Sequence, residues 1–182
     1  MSYRPICDTW ILARSKVKYY GAYPAGFLGR ARDLLGVGIS DSVLHVCGGR
    51  VRDYPYKGFG KNDYTLDLDP DLQPDFLQDA RDALPKNPLA ADGKWPAILI
   101  DRPYSEIDAA HYEPGPNKLP DLNDLLKRSL KAVAVGGKVG TLDYLWPHPG
   151  KLGKEVAVVG VGTGRNNRAR WYCVFEALEK EV

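Results

Sequence analysis

Short apolar runs recur along the chain, and their pattern of hydrophobic and polar positions is typical of β-strands. Four such runs lie at 42–47, 63–69, 97–100 and 138–146. The run at 97–100 is continuously apolar, as in a strand that is buried on both faces. The run at 63–69 alternates instead, which predicts a polar face that contains Thr65 and Asp67.

Two segments have apolar residues at helical spacing. One covers 25–36 and ends at Gly36, a residue type that commonly terminates helices. The other begins at Asp121, whose side chain can cap the first turn. This second helix is predicted to stop at Gly136 and Gly137.

Two β-rich runs close the chain, at 155–164 and 169–178, and they predict an antiparallel hairpin. Strands that alternate with helices indicate parallel βαβ units. We therefore predict an α/β fold with a mostly parallel central sheet, helices on both faces and a C-terminal antiparallel hairpin edge. The length suits one domain over 1–182, with an N-terminal segment and helix over 1–36 and a core over 42–178.

Composition narrows the class of protein. Hydrophobic residues at 44% and charged residues at 26% are ordinary for a globular chain. No apolar run approaches the roughly 18 residues of a membrane span, and the N-terminus lacks the apolar core of a secretory signal. We therefore expect a cytoplasmic protein with no membrane partner. The net charge of +2 neither requires nor excludes a nucleic-acid partner.

The cysteines, the histidines and the basic clusters give little evidence of function by themselves. The three cysteines and three histidines have no metal-ligand spacing, so we predict no metal site and no disulfide framework. Cys47 and Cys173 are expected in buried strands. Two basic clusters are interpreted as solvated surface, with phosphate contact as the alternative. They comprise Arg14, Lys16 and Lys18, and Arg165, Arg168 and Arg170.

Candidate chemistry lies at the ends of the predicted strands, because open α/β sheets bind ligands at the carboxyl edge. The first end is Cys47-Gly48-Gly49, where the glycines let a ligand approach the backbone or form a tight turn. The second is Asp67, with Asp69 beyond it. It follows the glycines by about 20 residues, the separation at which a carboxylate reaches ribose hydroxyls. A solvated acid is the alternative.

The third strand end lies within 76–85 and brings Asp79 and Ala80 to the same edge. A carboxylate or a backbone group there can bind an adenine amino group. Alternatively, Asp79 or Asp82 caps a short helix.

The fourth strand end carries Asp101, Arg102, Pro103 and Tyr104 directly after an apolar strand. Taken alone, Asp and Pro predict a turn. Together with the other three ends, the order is glycine turn, acid, acid and then Asp-x-Pro-Tyr. This ordered set predicts a ligand site.

The set resembles the motifs of class I S-adenosylmethionine-dependent methyltransferases, in particular the amino-methylating branch typified by adenine-N6 DNA methyltransferases. Residues 101–104 are similar to the Asp/Asn-Pro-Pro-aromatic signature of that branch, with Arg102 in place of the first proline. Residues 45–49 resemble the first cofactor motif, and 19–35 resemble the segment that packs against the methionine end of the cofactor. The resemblance extends over most of the chain, from Tyr19 to Leu178.

The resemblance implies a Rossmann-like methyltransferase fold, S-adenosyl-L-methionine as cofactor, and methylation of an exocyclic amino group, with adenine N6 preferred. The cofactor-binding residues it implies are Tyr23, Pro24, Cys47, Gly48, Gly49, Asp67, Asp69, Asp79 and Ala80. The catalytic residues it implies are Asp101, Arg102, Pro103 and Tyr104. In these enzymes the Asp side chain and the following carbonyl hold the target amino group, while the aromatic ring stacks on the base. Arg102 would bring a positive charge near the reacting nitrogen.

DNA or RNA is therefore the expected substrate. DNA methyltransferases of this kind usually carry a separate recognition region, whereas here only 105–120 is long enough to act as a substrate loop. A separate recognition subunit would supply the missing part. Two alternatives stay open: a non-catalytic module that binds nucleic acid or a partner protein, and a methyltransferase for a small molecule or a protein. The sequence leaves the oligomeric state open.

Overall fold

The computed structural model describes residues 4–15, 17, 19, 22–110, 119–164 and 169–179. Within these ranges, eight strands form one sheet. The strands are β1 (Ile6–Leu12), β2 (Val43–Val46), β3 (Tyr64–Asp67), β4 (Phe76–Leu77), β5 (Trp95–Ile100), β6 (Val133–Asp143), β7 (Gly153–Thr163) and β8 (Arg170–Ala177). The α-helices are α1 (Phe27–Leu35), α2 (Glu106–Ala109) and α3 (Leu122–Ala132).

The strand order across the sheet is β1-β7-β8-β6-β5-β2-β3-β4. All neighbouring strands pair in parallel except β8, which is antiparallel to both β6 and β7. The predicted mostly parallel sheet with a C-terminal antiparallel hairpin is confirmed. One consequence matters for function: the first residue of β8 lies at the same edge as the last residues of the other strands.

Helix α1 covers one face of the sheet. It ends at Gly36, which has a φ of 70° and lies in the left-handed region that favours glycine. Phe27, Leu28 and Leu35 are buried in a cluster that also contains Trp10 and Tyr172. The prediction of a helix that ends at Gly36 is confirmed.

Helix α3 covers the opposite face. The Asp121 carboxylate accepts a hydrogen bond from the Asp124 N–H at 2.9 Å, which is the predicted cap. Leu125 and Leu126 pack in a second cluster with Ile98 of β5. Two clusters on opposite faces confirm the predicted helices on both sides, although the connections from β2 to β4 contain only 3₁₀ turns.

The stop signal proposed for this helix was wrong. Helix α3 ends at Ala132, and Gly136 and Gly137 lie inside β6. A Cβ at Gly137 would meet the Ala134 and Pro96 carbonyl oxygens at 2.9 Å. Glycine is therefore needed because two strands approach closely there, beside a shift of register in β5.

Strand β1 was not predicted. Only Trp10 and Leu12 are buried, while the first four residues of the strand are exposed. Asp8 interrupts the apolar pattern, and its carboxylate accepts a hydrogen bond from the Trp10 indole N–H at 2.9 Å. The strand is held by parallel pairing with β7, a long-range contact that leaves little trace in local sequence.

The alternation predicted at 63–69 was partly wrong. Thr65 is buried rather than solvated, and Leu68 is exposed. Thr65 and Leu66 lie on opposite faces of β3 and both are buried, so the alternation does not separate a solvent-exposed face from a buried face. The Thr65 N–H donates to the Asp75 carboxylate at 2.8 Å, which satisfies the buried backbone.

His45 is buried beside Asp63, at 3.2 Å from its carboxylate, which also accepts a hydrogen bond from Arg32 at 2.7 Å. This network joins β2 to the end of α1. Within the described ranges, no helix is both long and apolar enough to cross a bilayer. The same residues contain no group of three His, Cys, Asp or Glu side chains placed to hold a metal ion.

Candidate active site

Residues that follow the strands meet at one edge of the sheet. Across that edge the strand ends carry Asp79, Asp67, Cys47, Asp101 and Arg170, in that spatial order. They line a cavity of about 540 Å³, which we call the strand-tip cavity. Small-molecule sites typically measure about 300–1,000 Å³, so the cavity is large enough for a ligand.

The strand-tip cavity gathers nearly all the residues singled out in the sequence. Its lining includes Tyr23, Pro24, Cys47, Gly48, Gly49, Asp67, Asp79, Ala80, Asp101, Arg102, Pro103 and Tyr104. Asp69 does not line it. That side chain instead caps a 3₁₀ turn, where it accepts a hydrogen bond from the Asp71 N–H at 2.9 Å. Of the two acids at the end of β3, only Asp67 lines the strand-tip cavity.

The glycine turn is tightly constrained. Cys47 has a φ of 56°, an uncommon left-handed conformation for this residue type, and its N–H donates to the Leu66 carbonyl at 2.8 Å. It therefore lies beyond β2 rather than in a buried strand, which corrects the expectation. A Cβ at Gly48 would lie 3.1 Å from the His45 Cβ, and only glycine fits there without displacement.

Tyr19 lies over this turn. A Cβ at Gly49 would be 3.1 Å from its ring, and Arg50 approaches the same ring at 5.7 Å. Burial, followed by the nearby Asp67 charge, raises the pKa of Tyr19 to about 12. The ring is thus an uncharged wall of the cavity beside the glycines, and it was not predicted from the sequence.

Asp67 is fixed by backbone donors. One carboxylate oxygen accepts a hydrogen bond from the Gly49 N–H at 2.9 Å, and the other accepts one from the Leu68 N–H at 2.8 Å. Burial nevertheless raises the pKa of Asp67 above its ordinary value. A carboxylate oxygen has two lone-pair sites, so the oxygen facing Gly49 retains the capacity to accept a ligand hydroxyl.

Asp79 lines the cavity, but its carboxylate already has a charged partner. Its carboxylate oxygens lie 2.9 and 3.0 Å from the Arg81 Nε, and this hydrogen bonding lowers the pKa of Asp79. The alternative role as a helix cap is wrong, because Asp79 caps only a turn, through the Arg81 N–H at 2.8 Å. Ala80 is buried and its carbonyl accepts a hydrogen bond from Arg128 at 2.7 Å.

Asp101 and Tyr104 form one unit in the middle of the edge. The Tyr104 hydroxyl donates to one Asp101 oxygen at 2.6 Å, and the second oxygen has no hydrogen-bond partner among the described residues. Burial raises the pKa of Asp101 to about 7, against the opposing effects of Tyr104 and the Arg170 charge. Tyr104 is half-buried, with its hydroxyl against Asp101.

Arg102, which stands in place of the first proline of the motif, is paired with a carboxylate. The Arg102 side chain is buried and its Nε lies 3.0 Å from the Asp143 carboxylate at the end of β6, although not in linear hydrogen-bond geometry. Its Nη1 donates to the Pro103 carbonyl at 3.1 Å. The positive charge that the sequence leads one to expect at Arg102 is therefore compensated by the Asp143 carboxylate.

Tyr23 and Pro24 close the cavity from the side of α1. Tyr23 is 2% exposed and its ring stacks on Phe27 at 5.1 Å between centroids. Its hydroxyl is buried and has no hydrogen-bond partner in the described part of the chain. An orphaned polar atom in a cavity wall is a recognised place for a ligand group to bind.

Arg170 is a cavity residue that the sequence placed on the solvated surface, and that interpretation was wrong. It is 9% exposed and its Nη1 donates to the Tyr104 hydroxyl at 3.3 Å. Tyr144, after β6, packs on the Tyr104 ring at 4.6 Å between centroids. Neither position was predicted: Arg170 begins the antiparallel strand β8, and Tyr144 directly follows the parallel strand β6.

Several sequence predictions lie outside the described residues. They concern Lys16, Lys18, Arg165, Arg168 and the middle of the predicted substrate loop, 111–118. The described flanks of the predicted substrate loop do reach the cavity, through Asp108 and Ala109 on one side and Leu119 and Pro120 on the other. Arg14, from the other basic cluster, also lines it and is exposed.

The fold of the chain is similar to that of solved methyltransferase structures. TrmN from Thermus thermophilus superposes with a TM-score of 0.58 at 17% identity, over 83% of this chain and 48% of that one. The N-methyltransferase NodS from Bradyrhizobium japonicum WM9, in complex with S-adenosyl-L-homocysteine, gives 0.51 at 12% identity, over 83% and 87%.

The chain has the Rossmann-like methyltransferase fold. It spans about half the length of TrmN but most of NodS. No protein-family model matches the sequence, and no curated protein matches it. At these identities the likeness is one of fold, so the chemistry of the strand-tip cavity rests on its own residues.

Proposed function

We propose that the protein is an S-adenosylmethionine-dependent methyltransferase that methylates an amino nitrogen held by Asp101. The observation that carries this proposal is the position of Asp101. It lies between the glycine turn on one side and the Tyr104–Tyr144 ring pair on the other, with one carboxylate oxygen unpaired among the described residues. The fold, and the bound S-adenosyl-L-homocysteine in NodS, support the cofactor.

The residues at the β2 and β3 ends suit that cofactor. Gly48 and Gly49 leave room where a side chain would block a ligand, and Asp67 presents a carboxylate to ribose hydroxyls. The buried Tyr23 hydroxyl offers a donor from the side of α1. Asp79 is assigned a lesser part, because Arg81 already binds its carboxylate. When bound, S-adenosylmethionine supplies an electrophilic methyl group on a sulfonium.

Asp101 would prepare the acceptor. Its unpaired oxygen accepts a hydrogen bond from the amino N–H, and the Arg102 carbonyl accepts a second one, so that the nitrogen lone pair points toward the methyl group. Positioning of this kind provides much of the rate in a displacement reaction. Tyr104 has a second task beside the expected stacking on a base, since its hydroxyl orients the Asp101 carboxylate. Pro103 fixes the backbone between them.

Two classes of acceptor remain proposals. The Tyr104–Tyr144 ring pair offers an aromatic wall for a planar base, which supports the adenine-N6 prediction with DNA or RNA as substrate. The buried cation at Arg170 supports a small anionic amine instead. The non-catalytic alternative rests on Arg102, which replaces the usual proline, and the test below distinguishes it from an enzyme.

The direct test combines binding and transfer. Isothermal calorimetry with S-adenosylmethionine and S-adenosylhomocysteine measures cofactor binding, and tritiated-methyl transfer is then assayed on DNA, RNA and small amines. Binding together with transfer to any of these acceptors supports the proposal. Binding without transfer to any of them would favour the non-catalytic module, and no binding would reject the cofactor.

Asp67→Asn is expected to weaken S-adenosylhomocysteine binding by about 1–3 kcal/mol, because ribose hydroxyls lose a charged acceptor. Asp69→Asn is the matched control, since Asp69 lies one alternation further and outside the cavity. It should leave the affinity unchanged. Equal affinities for both variants and the unmodified protein, measured by calorimetry on folded samples, would place the ribose contact elsewhere.

Methyl transfer is expected to depend on the ionisation of Asp101. Because burial raises its pKa to about 7, the carboxyl is protonated below that pH, and its oxygen is then a much weaker acceptor for the amino N–H than the carboxylate oxygen is. The value of kcat/KM should therefore rise as the pH increases through about 7 and level off above it. A profile that is flat from about pH 5.5 to 8.5 would contradict this role.

A further inference from the structure

Arg170 is a buried cation, and most of its N–H donors have no hydrogen-bond partner among the described residues. As the first residue of the antiparallel strand β8, it enters the strand-tip cavity from the hairpin side. It is 9% exposed, and its Nη1 donates to the Tyr104 hydroxyl at 3.3 Å. A guanidinium has five N–H donors, and the others have no hydrogen-bond partner among the described residues.

The charge is maintained in spite of its burial. Burial disfavours the cation, but the Tyr104 hydroxyl and the Asp101 carboxylate more than offset this, so the pKa of Arg170 is raised. A desolvated guanidinium normally binds a carboxylate or phosphate through two parallel hydrogen bonds. Here the described residues supply one hydroxyl and the face of the Tyr104 ring, at 6.0 Å from the guanidinium carbon.

We propose that Arg170 binds a carboxylate or phosphate group of the methyl acceptor, and that the acceptor is a compact anionic amine. The proposal rests on the methyltransferase function proposed above. Asp101 takes the amino end of such a molecule and Arg170 takes its anionic end. The two charges of opposite sign, on either side of Tyr104, complement an acceptor that carries both groups.

The spacing explains why the acceptor is compact. A single hydroxyl joins the two side chains, since Tyr104 donates to Asp101 at 2.6 Å and accepts from Arg170 at 3.3 Å. A molecule that contacts both must hold its amino nitrogen and its anionic oxygens only a few bonds apart. In an adenine nucleotide, the ring and the sugar separate the N6 amino group from the phosphate.

Another role for Arg170 predicts different behaviour. If it only orients Tyr104, its loss should lower the thermal midpoint without any effect on anion binding. The proposal requires that anions bind and that Arg170 binds them. Inorganic phosphate and acetate are suitable probes, because they represent the two anionic groups without an amine.

The test is a calorimetric titration of the protein with phosphate and with acetate at constant ionic strength, with and without S-adenosylhomocysteine. We expect Arg170→Gln to weaken the preferred anion by about tenfold or more, and Arg170→Lys to retain part of the affinity. Arg14→Gln tests an exposed arginine of the same cavity, and Arg52→Gln tests one outside it. Arg52→Gln should bind the anion as the unmodified protein does, while Arg14→Gln tests whether the anion binds at that arginine instead.

Each outcome is decisive. Absence of anion binding, or equal binding by Arg170→Gln, would overturn the proposal, as would a loss confined to Arg14→Gln. Competition by a short single-stranded oligonucleotide, much tighter than by free phosphate and lost in Arg170→Gln, would assign the anion to a nucleic-acid backbone and overturn the compact acceptor. Anion binding without any S-adenosylhomocysteine binding would leave the Arg170 site intact and reject the methyltransferase function.

Discussion

Asp101→Ala is expected to reduce methyl transfer by about 10²–10³-fold or more, while the affinity for S-adenosylhomocysteine stays within about twofold. Its carboxylate serves the acceptor rather than the cofactor, because its unpaired oxygen lies between the glycine turn and the two tyrosines. An interaction that is made chiefly in the transition state affects the rate more than ground-state binding. Single-turnover transfer and calorimetry on the same sample separate the two effects.

The Asp101 carboxylate is also expected to lower the free energy of unfolding. Since burial raises the pKa of Asp101 to about 7, the folded state holds a proton that the unfolded state releases near its ordinary pKa of about 4. Stability therefore falls as the pH rises from about 4 to about 7. Asp101→Asn removes this penalty, so its advantage over the unmodified protein should grow across that window, to on the order of 1–3 kcal/mol.

Urea unfolding at several pH values measures this advantage. A variant that is both inactive and more stable above pH 7 would mark Asp101 as a functional group placed at a cost to folding. An Asn variant that is less stable than the unmodified protein at every pH would mean that the carboxylate is structural. An Ala variant that retains full transfer activity would remove Asp101 from the mechanism.

Arg102→Met is expected to destabilise the fold by about 3–5 kcal/mol, because it leaves the buried Asp143 carboxylate without its cation. The two side chains are 4% and 1% exposed, so neither charge is relieved by solvent. Replacing both partners, as Arg102→Met with Asp143→Leu, should restore much of the loss. Arg102→Pro, which recreates the usual proline pair of the resembling enzymes, should also destabilise rather than improve the protein.

The exposed pair of Arg52 and Asp75 provides the matched control. Arg52→Met breaks an ion pair of the same chemistry at the surface and should cost only about 0–1 kcal/mol. Urea midpoints at unchanged slope report each difference. If Arg102→Met costs no more than Arg52→Met, the Arg102–Asp143 pair does not hold the motif in place. Arg102 would then be available for a substrate.

The strand-end residues could be predicted because their positions follow from a simple rule. Parallel strands end at the same edge, so Gly48, Asp67 and Asp101 had to approach one another once their strands were recognised. Helices α1 and α3 were equally clear, since Gly36 and Asp121 mark an end and a beginning in local sequence. Local signals and one rule of topology account for this half of the cavity.

The other half depends on contacts between distant segments. Arg170 reaches the cavity because β8 runs against its neighbours, which turns the start of that strand toward the edge. The pairing of Arg102 with Asp143 joins β5 to β6, and no pattern near either residue announces it. The contact between Asp79 and Arg81 is local by contrast, since the two residues are only two positions apart in the sequence.

A cofactor bound at the glycine turn and an acceptor site at Asp101 are the centre of the proposed function. The most direct measurement is a titration of the isotope-labelled protein with S-adenosylhomocysteine, followed by amide resonances. We expect saturable shifts at Gly48, Gly49 and Leu68, a smaller response at Asp101, and none in the exposed first four residues of β1. No saturable shift at the glycine turn, or shifts confined to residues outside the strand-tip cavity, would contradict it.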